Sequence, residues 1–147
     1  MEKIDKYEVD LDCQYDPENH FWLKITENIA TIGMSPLVQE TNGSFVAIAF
    51  NDNKDLQKGE SFGNIEAEKH VGPLLIPVSG LITKLNQKVI DNPRLINMDP
   101  YGEGWLVKLH LTNFGLEEGQ LISGHQSIRD WFNAELKKFN EKGWIAQ

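Results

Sequence analysis

Lys69 is the side chain of this sequence best placed to do chemistry. It lies between two short apolar stretches, residues 61–66 and 74–78, which are typical of strands facing each other across a turn at residues 67–70. Such a turn would hold a primary amine away from the sheet, and a primary amine readily forms a stable amide with a carboxylic acid cofactor. Ordinary solvated lysines also occupy turns, so position alone leaves both interpretations open.

The other reactive side chains form no pattern that indicates catalysis or metal binding. Cys13 is the single cysteine, so the chain cannot build an intramolecular disulfide. We find no nucleophile–base pair, phosphate-binding loop or metal motif, and therefore expect that the protein is not an enzyme. The four histidines are scattered: His20, His70, His110 and His125.

Size and charge narrow the choice of partners. A chain of 147 residues, 40% of them apolar, fits one packed domain with an appended helix. The 22 acidic side chains outnumber the 14 Lys and Arg, and the net charge of -8 repels nucleic-acid phosphates and anionic lipid surfaces. No apolar run is long enough for a membrane span or a signal-peptide core. We expect a cytoplasmic protein that binds neither nucleic acid nor membranes.

Short strands separated by turns dominate the middle of the chain, residues 20–113. Apolar side chains alternate from Phe21, and Ser35-Pro36 is typical of a helix start, with Asn42-Gly43 as its end. We expect little regular structure before residue 16, and a turn-rich segment at 91–104. This pattern favours a mainly β fold, a sandwich or flattened barrel. Further strands are predicted at residues 29–34, 44–50, 81–85 and 105–111.

The last part of the sequence, residues 114–147, has a different pattern. Its apolar residues fall at helical spacing with charged residues between them, and Ser127 and Gly143 are typical of a start and an end. We expect this amphipathic helix to pack on the β-domain; a partner-binding helix is the alternative. Residues 1–19 form the N-terminal segment of this three-part organisation. The helical stripe consists of Ile128, Trp131, Phe132, Leu136 and Phe139.

From His20 to about Leu111 the sequence resembles the glycine cleavage system H protein family. The resemblance is carried by HFW at residues 20–22, IATIGM at 29–34 and Gln39-Glu40. It continues through QKGESFGNIEAEK at 57–69, IPVSG at 76–80, Asn92-Pro93 and DPYGEGWL at 99–106. This resemblance implies the biotinyl/lipoyl hammerhead fold, a barrel-sandwich hybrid with a short helix after its second strand and a C-terminal amphipathic helix.

The resemblance also implies a function, that of a lipoyl carrier protein. Lipoate would be amide-linked to Lys69, and the arm would carry an intermediate between partner enzymes. Implied partners are a lipoate ligase or lipoyl transferase, dihydrolipoamide dehydrogenase, glycine decarboxylase and aminomethyltransferase. Acids beside the target amine suit a basic ligase surface, so Glu66 and Glu68 are predicted recognition residues. The predicted surroundings of the arm include His70, His20 and Phe21.

At three positions this sequence differs from the family pattern in residues that would contact the group carried by the lipoyl arm. Where the family has an acid after the opening histidine, a serine before it and an aspartate four residues after the lysine, this chain has Phe21, Asn19 and Pro73. A cationic amine is costly to desolvate without such partners. We therefore favour an H-like lipoate-binding protein of the heterodisulfide-reductase-like sulfur oxidation system, carrying sulfur to a heterodisulfide-reductase-like complex. Two alternatives remain: an ordinary H protein that carries an aminomethyl group, and an unmodified binding or regulatory module.

Overall fold

The computed structural model describes residues 1–145 and has a mainly β fold with a long C-terminal helix, as predicted. The strands are β1 (Glu2–Ile4), β2 (Tyr7–Val9), β3 (Gln14–Tyr15), β4 (Phe21–Thr26), β5 (Ile29–Met34), β6 (Phe45–Phe50), β7 (Asp55–Leu56), β8 (Ser61–Ala67), β9 (Val71–Leu75), β10 (Gly80–Leu85) and β11 (Val107–Leu111). The helices are α1 (Val38–Asn42), α2 (Gln87–Asp91), α3 (Leu95–Met98), α4 (Phe114–Glu117), a 3₁₀ turn (Glu118–Gln120) and α5 (His125–Glu141).

The strands form three antiparallel sheets. The largest has the order β3-β4-β5-β11-β10-β7, a second has the order β6-β8-β9, and β1 and β2 form a separate hairpin. Side chains from both larger sheets share one core, to which Leu23 and Ile32 contribute from one sheet and Phe62 and Ile65 from the other. This arrangement is a sandwich, in which alternate side chains of each strand face the opposite sheet.

A second core lies on the other face of the largest sheet. The alternation along β4 sends Phe21 and Leu23 into the first core and Trp22 into the second. Helix α5 covers this face with Phe132, which is completely buried, and with Phe139. The helix begins at His125 after Gly124, not at the predicted Ser127. Its predicted end is correct, because Gly143 has the left-handed φ of 72° that closes a helix.

The prediction of little regular structure before residue 16 is wrong. The first 15 residues form β1, β2 and β3, and α5 is bound to this part of the chain through Arg129, whose Nε and Nη2 donate to the Glu2 carboxylate at 2.7 and 3.0 Å. Strands of two or three residues show too little alternation to be recognised in a sequence. The division of the chain at residues 19 and 113 remains a prediction.

Two further predictions need correction. Strand β9 ends at Leu75, three residues earlier than predicted, because the chain bends at Pro77 and Val78, although the Ile76 amide still donates to the Glu60 carbonyl at 2.8 Å. The segment predicted to be turn-rich contains α3 and the last residue of α2, whose start is capped by the side chain of Asn86. Among residues 1–145, no helix is both long and apolar enough to cross a membrane.

Candidate functional site

Lys69 lies at the tip of the hairpin formed by β8 and β9. The two strands pair up to Glu66 and Val71, and the Ala67 amide donates to the His70 carbonyl at 2.8 Å to close the turn. The Lys69 side chain is exposed, and its ammonium forms no ion pair or hydrogen bond with residues 1–145. The hairpin therefore presents a free primary amine to solvent.

The backbone on either side of that amine is fixed. The Lys69 amide donates to the Asn42 carbonyl at 2.9 Å, and the Glu68 amide donates to the Ser44 carbonyl at 3.0 Å. The Ser44 amide in turn donates to the Glu68 carboxylate at 2.8 Å, which lowers the pKa of Glu68. Gly43 has a φ of 75° in this close approach, where a Cβ would lie 3.1 Å from Glu68 Oε1. Three hydrogen bonds thus hold the backbone of the tip, while the lysine side chain is exposed to solvent.

A cleft with a volume of about 330 Å³ lies beside the hairpin. One side, here called the β-wall, consists of Phe21, Met34, Ile65, Pro73 and Leu74. A second group of lining residues comes from α5 and the residues after it, and we call it the helix wall: Glu135, Lys138, Phe139, Lys142 and Trp144. The cleft thus has an apolar side built by strands and a charged, aromatic side built by the C-terminal helix.

Lys69 has direct access to this cleft. A shallower depression is lined by Lys69, Glu40, Thr41, Gly143 and Trp144, and the cleft shares Thr41 and Trp144 with it. A volume of about 330 Å³ lies in the range of about 300–1,000 Å³ that is usual for small-molecule sites. The residues present therefore fit a group attached to Lys69 whose chain lies on apolar side chains.

His20 also lines the cleft and contacts the helix wall. Its side chain is buried, and its backbone has a left-handed φ of 60°. Its Nε2 donates to Glu135 Oε1 at 2.7 Å, and its Nδ1 lies 3.2 Å from the Ser35 hydroxyl. The ring packs between Trp131 and Phe139, with centroids 4.9 and 5.6 Å away. The hydrogen bond from His20 holds the pKa of Glu135 below its usual value, and Lys138 adds to the effect. His20 therefore joins the helix wall to the β-domain.

The residues predicted from the sequence fall in three places. Phe21 lines the cleft and is almost fully buried, and His70 lines its rim beside Lys69 while remaining exposed. Glu66 is exposed on β8 outside the cleft, whereas the carboxylate of Glu68 already binds the Ser44 amide. Their roles in ligase recognition and around the arm remain predictions. Asn19 and Pro73 also line the cleft.

Sequence reasoning missed the helix wall. It also missed Glu135, a carboxylate in the cleft where the sequence had indicated the loss of acids. The signal was present, because Glu135 falls four residues after Trp131 and four before Phe139, on the apolar stripe of the helix. A charged residue on a buried stripe requires a partner, which here is His20.

Cys13 takes no part in the site. Its side chain is buried in the second core, and burial raises the pKa of its thiol to about 12. A thiol with so high a pKa forms little of the reactive thiolate at neutral pH. Redox chemistry in this protein would therefore need a group other than its own cysteine.

An antiparallel sandwich with an exposed lysine at a fixed hairpin tip, beside a cleft, is compatible with a protein that carries a prosthetic group on a side chain. The glycine cleavage H-protein family matches residues 13–132. This chain belongs to that family, whose members are lipoyl carriers with the cofactor on a lysine and are not catalysts.

Individual relatives agree with the family match. Glycine cleavage system H protein 2 of Aquifex aeolicus is 32% identical over 146 residues, which cover 96% of this chain and 88% of that protein. The H protein of Carboxydothermus hydrogenoformans is 39% identical over 69% of this chain and 78% of its own length. The crystal structure of the H protein from Mycobacterium marinum shares the fold with a TM-score of 0.64, 30% identity, and coverage of 71% of this chain and 87% of its own.

Proposed function

We propose that Lys69 is the residue to which this protein's lipoyl group is attached. One observation carries the proposal: an exposed amine without an ionic partner among residues 1–145 stands on a fixed hairpin tip and lines a depression that adjoins the cleft. Amide formation would remove the charge of the amine and extend it into a long flexible arm. The lipoyl group supplies a dithiol/disulfide couple, which reacts through thiolate attack on a disulfide sulfur.

The contribution of the chain itself is to position and shelter the arm. The fixed hairpin tip limits the volume that the arm explores, which raises its effective concentration at a partner's site. The apolar β-wall would cover the arm between reactions and exclude water from its end. Docking proteins meet a surface with a net charge of -8, which favours partners with basic faces.

We further propose that the cargo is sulfur and that the chain serves a heterodisulfide-reductase-like sulfur oxidation system in the cytoplasm. The support comes from the β-wall, where Phe21 and Pro73 replace the acids that would stabilise a cationic amine. Glu135 does not restore that support, because His20 at 2.7 Å and Lys138 at 3.5 Å already bind its carboxylate. Proposed partners are a lipoate ligase or lipoyl transferase, dihydrolipoamide dehydrogenase and the heterodisulfide-reductase-like complex.

A second candidate is the transport of an aminomethyl group between glycine decarboxylase and aminomethyltransferase. The names of the relatives favour it, since they are glycine cleavage system H proteins. The structure offers this cargo one exposed carboxylate in the cleft, Glu18.

Attachment is tested by the intact mass of the protein after expression with lipoate and a lipoate ligase. We expect a gain of one lipoyl amide in the wild type and none in Lys69→Arg, which keeps the charge but cannot form the amide. Lys3→Arg is the matched control, because Lys3 is also an exposed lysine beside strand residues and should leave the gain unchanged. A wild-type protein that no ligase modifies would favour an unmodified binding module on the same fold.

The cargo is tested by incubating the lipoylated protein separately with an aminomethyl source and with a sulfur donor. With glycine and glycine decarboxylase we expect no aminomethyl transfer, whereas a persulfide donor should add the mass of one sulfur atom to the reduced arm. Aminomethylation without sulfur loading would instead establish the ordinary H-protein function.

A further inference from the structure

The helix wall lies outside the part of the chain that the family match covers. The match ends at residue 132, whereas the helix wall begins at Glu135 and continues to Trp144. The β-wall, by contrast, lies entirely inside the match. The family model thus covers the β-wall but not the helix wall, so the helix wall is the part of the cleft that the family pattern does not define.

The helix wall carries positive charge toward the cleft. Lys138 and Lys142 are four residues apart, so both lie on one side of α5 and its C-cap. Glu135 offsets part of this charge, since Lys138 Nζ lies 3.5 Å from its carboxylate. Glu135 is also bound by His20 at 2.7 Å, so its one carboxylate serves two partners.

Lys142 has no acidic partner within hydrogen-bonding or ion-pair distance among residues 1–145. Its Nζ lies 4.6 Å from the centroid of the Trp144 ring and forms no ion pair with residues 1–145. Lysines near the end of a helix also offset the helix dipole, and this role accounts for their presence but not for their place in the cleft. The remaining charged or titratable side chains around the cleft are Glu18, His20 and His70. Of these, Glu18 and His70 are exposed to solvent.

We propose that Lys138, Lys142 and Trp144 form a binding site for a negatively charged sulfur group at the end of the arm, such as a persulfide or a thiosulfonate. The lysines attract the anion, and although both are exposed, the apolar β-wall in the same cleft strengthens that attraction wherever the bound arm excludes water. A cationic amine would meet the same two lysines and be repelled. This inference rests on the proposed attachment of the arm to Lys69.

The test compares three arms that differ in charge at their end. Lipoylated protein is reduced and its arm thiols are alkylated with iodoacetate, iodoacetamide or 2-bromoethylamine, which add an anionic, a neutral or a cationic group. Cys13 does not compete in the native protein, because it is buried and burial raises the pKa of its thiol to about 12. The readout is the indole resonance of Trp144 in a nitrogen–proton NMR spectrum, assigned with Trp144→Phe.

We expect the anionic arm to shift the Trp144 resonance more than the neutral arm, and added salt to reduce the difference. The double variant Lys138→Gln/Lys142→Gln should abolish the difference between the shifts caused by the anionic and the neutral arm. Lys137→Gln is the matched control, because Lys137 is an exposed lysine of the same helix that does not line the cleft, and it should preserve the shift. An unchanged melting temperature of the double variant shows that it is folded.

Two results would overturn the inference: equal shifts with all three arms, or a shift that survives in the double variant. Its failure is distinguishable from failure of the proposed attachment. A protein that gains no lipoyl mass before alkylation refutes both, whereas a correct mass followed by charge-independent shifts refutes only the anion site.

Discussion

The two sides of the cleft differ in composition, origin and contacts. The β-wall is apolar, comes from strands inside the family match and continues into the hairpin that holds Lys69. The helix wall is charged and aromatic, comes from residues after the match and is attached through a histidine–carboxylate pair. The comparison separates two contributions: strands inside the family match hold Lys69 and the apolar part of the cleft, while the helix supplies its charged part.

The largest expected effect comes from breaking the attachment of the helix wall. Phe132 is completely buried against the second core, so Phe132→Ala should lower the free energy of unfolding by about 3–5 kcal/mol through lost contacts and a cavity. Urea denaturation measures this change in the free energy of unfolding. Leu116, 83% exposed, provides the control, since Leu116→Ala should change stability little. Equal small effects of both substitutions would show that α5 does not hold the structure together.

A smaller effect is expected from the polar link between the two sides. Glu135→Gln weakens the hydrogen bond with His20 and should cost about 1.5–3 kcal/mol near neutral pH. Because the pKa of Glu135 is lowered in the folded state, this contribution is complete above the unfolded-state pKa near 4.5 and is lost as pH falls through the lower folded-state pKa.

Stability curves of wild type and Glu135→Gln, measured from pH 7 to pH 3, check this dependence. The two curves should converge at the acidic end. The exposed Glu141 supplies the matched control, because Glu141→Gln lacks such a partner and should give a curve close to that of the wild type at every pH. Parallel curves for Glu135→Gln would contradict the assigned link.

The smallest expected effect concerns the hairpin on the β-wall side. Glu68→Ala removes the acceptor of the Ser44 amide, so that amide should exchange with solvent several-fold faster. The melting temperature should stay nearly the same, because the backbone hydrogen bonds of residues 68 and 69 remain. Hydrogen-exchange NMR measures the exchange rate of the Ser44 amide. Glu66→Ala is the control, because Glu66 is an exposed neighbour whose loss should leave that rate unchanged. Unchanged exchange in Glu68→Ala would mean that this contact does not hold the tip.

Much of the fold followed from local patterns. Strands β4, β5 and β6 each have six residues, enough for alternation to be visible, and Gly143 marks the end of α5 as predicted. The N-terminal strands did not follow from local patterns, because each has only two or three residues, too few for alternation to be visible. Helix α3 is four residues long and gave no periodic signal within its turn-rich surroundings.

The site was predictable only in part. The turn between two apolar stretches is a local feature that drew attention to Lys69, and the family resemblance made it the expected attachment residue, which remains a proposal. The helix wall could not be predicted, since Lys138 and Lys142 look like ordinary charges on a solvated helix face. They follow the hairpin by more than 60 residues in the sequence, and only the fold brings them to the cleft beside it. The pairing of His20 with Glu135 likewise joins residues 115 positions apart.

The attachment of lipoate to Lys69 is tested most directly by tandem mass spectrometry of tryptic peptides from ligase-treated protein. Trypsin does not cleave after an acylated lysine, so the account predicts a peptide of residues 59–84 that carries one lipoyl amide at its internal lysine. Recovery of only the separate peptides 59–69 and 70–84, with the lipoyl mass on another residue or absent, would contradict it.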